Sequence, residues 1–442
     1  MADSRPRLLL LGLDRYALDA CVRLGVDAVV VCGAATRDDG LMSVPPELRL
    51  LRVDDQSSAE SVLLALHRAG LAAGGFDAVH TADEYSMVTA GLLARQLGVP
   101  GIDPDVAARF RDKSVQKAAV REAGLPTARC LVIDDVLDLD GVGELPFAPA
   151  VLKPVAGAAT ALTSSVRDRA ELSARSAEYR RTKPAQRTFV LEEHISGEEW
   201  FVDGVVFDGE LLFLAVGAYG DPCLASLESG TPLWLRHFDP DAESWVYDRA
   251  RGVVADALAA LGLSSGSFHM ELFHDPESGT LTFGECAARR GGGLIHEQIQ
   301  AKFGVHIGEC AVQAVLGRRP VIEPKVRPEV FGGTYLPGRP GILLDCPDPA
   351  ELTALPQVEF ARIEHPVGTH FAAGPANTSQ RVGQFMVVAE TVEQLTARFD
   401  EVRQWFDERL TVLPDDLTTS GRREFQRSWR PDADFRDTLW QS

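Results

Sequence analysis

Residues Phe268–Gly293, FHMELFHDPESGTLTFGECAARRGGG, read as a strand, a turn and a second strand. The strands are His269-Met270-Glu271-Leu272-Phe273 and Leu281-Thr282-Phe283-Gly284-Glu285, and Asp275-Pro276-Glu277-Ser278-Gly279 supplies turn-forming residues between them. A hairpin of that length sets Glu271 and Glu285 side by side on one face. Two ionised carboxylates on a largely apolar hairpin repel each other, so the pair calls for a shared cation. Hard oxygen ligands facing phosphates suit Mg²⁺. Arg289, just past the second glutamate, would lie beside the same ions, where a guanidinium can hold a phosphate or a developing oxyanion. Taken alone, the stretch reads equally well as a surface hairpin with two solvated acids.

Upstream residues add to this. Phe147–Thr163, FAPAVLKPVAGAATALT, is an apolar strand ending in Lys153-Pro154 and followed by a loop of small residues around Gly157. A lysine leaving a buried strand beside such a loop can reach a nucleotide phosphate while loop N–H groups cover it. The next strand, Thr188–Leu191, runs into Glu192-Glu193-His194-Ile195-Ser196-Gly197-Glu198-Glu199, and a further strand begins at Trp200. That hinge offers backbone donors and acceptors to a flat base, with an acid a few residues on for sugar hydroxyls.

The order lysine, lysine, acidic hinge, paired acids and arginine resembles that of the ATP-grasp ligases. The resemblance covers most of the chain and is narrower to the branch of bacterial L-amino acid ligases and carnosine-synthase-like enzymes. It implies an α/β ATP-grasp fold: an N-terminal doubly wound parallel α/β domain, a two-lobed α+β nucleotide-grasping module and a β-rich C-terminal domain. It implies that Lys113, of Asp112-Lys113-Ser114, and Lys153 clamp the ATP phosphates under the Gly157 loop. Glu192 would meet the adenine amino group through its side chain, Glu193 and Ile195 would use backbone atoms, and Glu199 would hold the ribose. Glu271 and Glu285 would ligate Mg²⁺, with two ions expected, and Arg289 would face the transferred phosphoryl group. The chain departs from the family pattern in three places. Ala287 stands where the family often has an asparagine, the loop Gly157-Ala158-Ala159-Thr160-Ala161 is poor in glycine, and Glu198 competes with Glu199 for the ribose.

Composition narrows the function classes. At 442 residues the chain should hold about three domains. A formal charge of −20 disfavours nucleic-acid backbones and anionic membranes as partners. No apolar run approaches membrane-spanning length and the first residues do not read as an export signal, so a cytoplasmic enzyme is expected. The seven cysteines lack Cys-x-x-Cys spacing, as buried thiols in a reducing compartment would.

The N-terminal part alternates strands (Arg7–Leu13, Ala28–Cys32, Leu50–Val53, Ala78–Thr81) with helices (Tyr16–Leu24, Ala59–Ala69, Met87–Leu97), the rhythm of a doubly wound sheet whose ligands gather beyond the strand C-termini. Glu84, in Asp83-Glu84-Tyr85 after the fourth strand, is a candidate for a substrate ammonium group; helix capping by Asp83 is the structural alternative. Asp105–Gly124 reads as helical, with Lys113 on it or at its start. Gly291-Gly292-Gly293 lets a backbone approach a substrate carboxylate, and the helix Ile295–Phe303 presents its N-terminus there, which makes Arg290, Gly292, His296 and Glu297 further substrate-pocket candidates. His269, beside Glu271, is a candidate substrate contact; the residues do not identify the general base, for which His269 is one choice. The units expected are 1–104 (pre-grasp domain), 105–190 (lid and linking helices), 191–322 (large lobe with the Mg-ATP site), 323–414 (β-rich domain) and 415–442 (a tail containing Trp429, Phe435 and Trp440).

The resemblance implies an ADP-forming ligase that joins an amino acid to an amine or second amino acid through an acyl phosphate. A biotin-carboxylase-like enzyme, a ligase loading a carrier protein, and a catalytically idle nucleotide-binding regulator are the alternatives. A homodimer is left open.

Overall fold

The computed structural model describes residues 5–33, 44–71, 75–142, 144–158, 160–372, 381–415, 417 and 421. Trp429, Phe435 and Trp440 of the tail lie outside them. The first sheet is wholly parallel, with Arg7–Leu11 at its centre, Asp27–Gly33 and Arg49–Val53 on one side and Ala78–Thr81 on the other. Its strands are nearly continuous apolar runs because helices cover both faces. The winding reverses between Arg7–Leu11 and Ala78–Thr81, so the crevice of this domain opens at Leu13-Asp14 and at Asp83-Glu84.

The segment 105–124 forms two helices, Pro104–Arg111 and Lys113–Glu122. Asp112 leaves the helical region at φ −97° and ψ 109°, and its carboxylate accepts from the N–H groups of Ser114 and Val115. A helix start of this kind satisfies donors that would otherwise be orphaned, and it makes Lys113 the first residue of the second helix. The helical stretch expected from the sequence is therefore interrupted at a cap, with Lys113 at a helix start.

A four-stranded antiparallel sheet follows, ordered Cys130–Ile133, Phe189–Glu193, Ala150–Pro154, Ser164–Val166. Ala150, Leu152, Phe189 and Leu191 turn to a core closed by the helix Arg169–Thr182, and the alternate residues Val151, Lys153 and Glu192 face the opposite way. The largest sheet has eight strands. Leu281–Ala287 forms its edge, followed by Gly266–His274, Glu198–Phe207, Glu210–Tyr219, Trp234–His237, Val330–Pro337, Arg381–Ala389 and Val358–Ile363. Val330–Pro337, Arg381–Ala389 and Val358–Ile363 thus continue the sheet of the large lobe, while Gly341–Asp345, His370–Phe371 and Thr411–Leu413 form a separate three-stranded sheet, and Phe189–Glu193 belongs to the small sheet although it crosses residue 190. Among the described residues no helix is long and apolar enough to cross a membrane.

Candidate active site

The two metal-ligand candidates owe their common face to one extra residue. Glu271 pairs with Glu285, but the next pair is Leu272 with Phe283, so Gly284 is a bulge. Without it Phe283 and Glu285 would share a face. With it Phe283 joins Leu272 in the core under the helix Ser244–Leu261, while Glu285 turns to the other side beside Glu271. A Cβ at Gly284 would stand 2.9 Å from the Glu271 carbonyl oxygen, which only glycine permits without displacement.

That other side is the floor of a cavity of about 610 Å³ between the large and small sheets, within the range of small-molecule sites. Lys113, Lys153, Gly157, Glu192, Glu193, Ile195, Glu199, His269, Glu271, Glu285, Arg289 and Gly292 all line it, as does Glu84. Lys153 Nζ lies 3.1 Å from Glu192 Oε2 and 3.4 Å from Glu285 Oε2, and Lys113 Nζ is 3.4 Å from the same Glu285 oxygen. Burial would raise the Glu285 pKa, but the ammonium groups of Lys113, Lys153 and Lys117 hold it below the usual carboxylate range. Burial likewise works against the Lys153 charge, and Glu192 and Glu285 keep that lysine protonated.

Glu199 shows the opposite imbalance. It is 6% exposed and accepts from the Cys223 N–H at 2.8 Å. Burial, then repulsion from Glu271, pushes its pKa up to about 8. Its neighbour Glu198 points to the reverse face, toward Trp200 Nε1 and His274 Nδ1, so the strand alternation puts Glu199 in the cavity. Glu192 keeps Oε1 buried with no hydrogen-bond partner among the described residues. An orphaned acceptor in a cavity wall is matched to an amino-group donor. The Glu193 side chain pairs outward with Arg129 at 2.8 Å, and its N–H donates to the Arg129 carbonyl.

No group of three or more His, Cys, Asp or Glu residues among those described could enclose a metal ion. The site nevertheless fits Mg²⁺, which keeps waters and takes one or two carboxylates together with substrate phosphates. Glu271 and Glu285 would be those carboxylates.

Residues the sequence reading passed over hold this arrangement. Gln116, 1% exposed, donates to the Cys286 carbonyl at 2.7 Å and accepts from the Cys286 N–H at 2.8 Å, imitating a strand on the open edge of Leu281–Ala287. Lys117, also 1% exposed, donates to the Gly284 carbonyl at 2.6 Å and faces Glu192 at 3.4 Å; burial lowers its pKa. The helix that begins with Lys113 is thereby locked to the strand that carries Glu285. Lys117 follows Lys113 by one helical turn, a spacing that could have flagged it.

Five expectations need correction. Glu84 is engaged by Arg111 Nη1 at 2.6 Å and Arg289 Nε at 2.6 Å, so its charge is already balanced and a substrate ammonium would have to displace a guanidinium. It holds Arg289 in the domain crevice. His269 is clamped by Asp203 Oδ2 at 2.7 Å on Nδ1 and faces Glu271 Oε1 at 3.7 Å on Nε2. Burial would lower its pKa, but Asp203 and then Glu271 raise it to about 10. Both ring nitrogens are thus turned to carboxylates, Nδ1 to Asp203 and Nε2 to Glu271, which leaves neither facing a substrate amine. Arg290, His296 and Glu297 do not line the cavity. Arg290 pairs with Asp14 and stacks 4.1 Å over the Tyr16 ring, Glu297 accepts from Tyr16 and from Arg362 at 2.7 Å, and His296 packs 3.9 Å from Tyr16. These three fasten the first domain to the large lobe and to the strand Val358–Ile363.

No protein-family model matches the chain. It is similar to an L-arginine-specific L-amino acid ligase of Bacillus subtilis, 27% identical over 296 residues, which are 66% of this chain and 69% of that protein. A crystal structure of an L-amino acid ligase from Bacillus licheniformis superposes with a TM-score of 0.74 at 19% identity, over 94% of this chain and all of the other. A carboxyaminoimidazole ribonucleotide synthase from Aspergillus clavatus, solved with ATP, superposes with a TM-score of 0.67 at 16% identity, over 91% of this chain and 99% of that one. At those identities the two structures bear on the fold.

Proposed function

We propose that this chain is an ATP-grasp ligase that joins the carboxylate of an amino acid to an amine or a second amino acid through an acyl phosphate, releasing ADP and phosphate. One observation carries the reading. Lys113 and Lys153 both converge on Glu285, the register partner of Glu271. A triphosphate between them would take over the lysines and leave both glutamates to a metal.

Glu271 and Glu285 would hold Mg²⁺, which would supply positive charge against the phosphates. The adenine would lie in the hinge, its amino group on Glu192 Oε1 and its edge on the Glu193 and Ile195 backbone, with the ribose at Glu199. Lys113, Lys153 and the Gly157 loop would align the γ-phosphoryl group with the substrate carboxylate. A carboxylate oxygen attacks the γ-phosphorus and the bond to the ADP oxygen breaks. The amine nitrogen then attacks the acyl carbon, Arg289 stabilises the oxyanion, and the carbon–oxygen bond to phosphate breaks as the amine proton is lost. Closing of the small sheet over the large one would keep water from the acyl phosphate. The amino acid and amine would occupy the cavity beyond Arg289, walled by Tyr219, Leu233, Leu235, Gly292 and Tyr335. The relative from Bacillus subtilis, named for ligating L-amino acids, supports that substrate class.

The test is ADP and phosphate release with Mg-ATP across a panel of amino acid and amine pairs, each mixture read by mass spectrometry. Amine-dependent ADP release with a product equal to both substrates minus water is expected, and Glu285→Ala should abolish it while the fold persists. AMP as the product, or undiminished turnover by Glu285→Ala, would overturn the mechanism or the metal assignment respectively.

A further inference from the structure

In the row of the large sheet next to the paired glutamates, Ala287, His269 and Asp203 stand in register on three neighbouring strands. Asp203 is fully buried in the apolar run Trp200–Phe207. A carboxylate in that position is costly unless every oxygen is satisfied. Both are: Oδ2 takes His269 Nδ1 at 2.7 Å, and Oδ1 takes the backbone N–H of Gly291 at 2.6 Å. Gly291 follows Arg289 by one intervening residue. A Cβ there would stand 2.6 Å from His269 Nδ1, so the segment after Arg289 lies directly against the imidazole. The far ring nitrogen, Nε2, is 3.7 Å from Glu271 Oε1. One buried side chain therefore reaches the segment that carries Arg289, and through His269 it reaches Glu271.

We propose that Asp203 and His269 are positioning residues that fix Glu271 and the Arg289 segment relative to each other, setting the metal-binding carboxylate and the oxyanion-facing guanidinium at one spacing. The inference rests on the reading of Glu271 as an Mg²⁺ ligand. Groups behind a ligand orient it, and their loss commonly weakens metal binding about 10- to 100-fold. An Asp–His pair that merely filled the sheet would leave metal affinity alone. The relay needs both ring nitrogens: Nδ1 for Asp203 and Nε2 for Glu271.

His269→Asn and His269→Gln each break one half of the relay. Asparagine can keep a donor near the Nδ1 position and so retain the Asp203 bond, but it cannot reach Glu271. Glutamine extends toward the Nε2 position and gives up the Asp203 bond. Mg²⁺ would be titrated calorimetrically into each variant saturated with a non-hydrolysable ATP analogue, and ADP binding measured separately in EDTA. Both variants should bind Mg²⁺ about tenfold more weakly and bind ADP without metal within about twofold of the parent protein. Asp203→Asn should match them, and if it fails to fold the His269 pair decides. Glu271→Gln is the control for the underlying reading. If Glu271→Gln binds Mg²⁺ like the parent, the metal assignment falls. If Glu271→Gln loses Mg²⁺ while His269→Asn binds it normally, the positioning proposal falls alone.

Discussion

Replacing Gln116 by leucine tests how the strand bearing Glu285 is held. That strand is the edge of the eight-stranded sheet, so the outward backbone groups of Cys286 have no strand to pair with. Gln116 supplies both bonds, at 2.7 and 2.8 Å. Leucine has nearly the same volume and supplies neither. Leaving a buried backbone donor or acceptor unpaired costs about 1–3 kcal/mol each, while burying an apolar side chain in place of an amide returns about 1–2 kcal/mol. The net expected loss is about 2 kcal/mol, concentrated in the edge strand because its other neighbour is untouched. A difference of that size is roughly 30-fold in a local opening equilibrium. Hydrogen exchange read by mass spectrometry on a peptide spanning 281–287 should quicken by about that factor in Gln116→Leu, while the first parallel sheet exchanges as before. Exchange in that peptide within about threefold of the parent protein would refute the argument that Gln116 acts as the missing strand.

Three further outcomes follow from the same geometry. Gly284→Ala places a Cβ 2.9 Å from the Glu271 carbonyl; it should lower the thermal midpoint, raise the Mg²⁺ concentration for half-maximal ADP release several-fold, and a variant with unchanged metal dependence would show the bulge to be dispensable. For Glu199, whose pKa rises from the usual carboxylate range to about 8 in the fold, the folded state holds the proton more tightly than the unfolded one, so stability is greatest below the unfolded pKa and is lost as pH rises toward 8. His269, raised to about 10, acts in the same direction above about pH 6.5, while His80, His237, His296 and His306, whose pKa values burial lowers, make stability rise with pH below about 6.5; Glu199→Gln should therefore make the urea midpoint of the ligand-free protein climb more steeply between about pH 5 and 6.5 than in the parent protein, and equal slopes would contradict it. Glu84→Gln removes the charge shared by Arg111 and Arg289; kcat should fall about tenfold or more with little change in the KM for ATP, since a misplaced oxyanion donor acts in the transition state, and a change confined to the KM for ATP would place Glu84 elsewhere.

What could be read from residues alone follows a physical divide. The hairpin was legible because period-two alternation and turn chemistry are local, and its two acids announced a cation by their mutual repulsion. The parallel first sheet was legible for the same reason, since Arg7–Leu11, Asp27–Gly33 and Ala78–Thr81 are apolar runs separated by helical patterns. Asp112 was harder, because a cap inside a helix-like pattern changes two dihedral angles without changing the periodicity around it. The bulge at Gly284 could not be foreseen: parity along a strand depends on what the neighbouring strand pairs with. The three misplaced pocket candidates share one cause. Arg290, His296 and Glu297 lie within a few residues of Arg289, and nearness in sequence was taken for nearness in space. Past Gly291 the chain turns toward Tyr16 and Arg362, and a buried cluster of charged groups at a domain junction carries the same residue types as a substrate pocket. Separating the two requires knowing where each charge finds its counter-charge. Arg290 finds Asp14 from the first domain and Glu297 finds Arg362 from the last, pairings made between residues hundreds of positions apart or on different lobes. By contrast Glu192 Oε1 and the lysines at Glu285 are balanced only among themselves or not at all, and it is this incomplete internal balance that marks a place for a charged ligand.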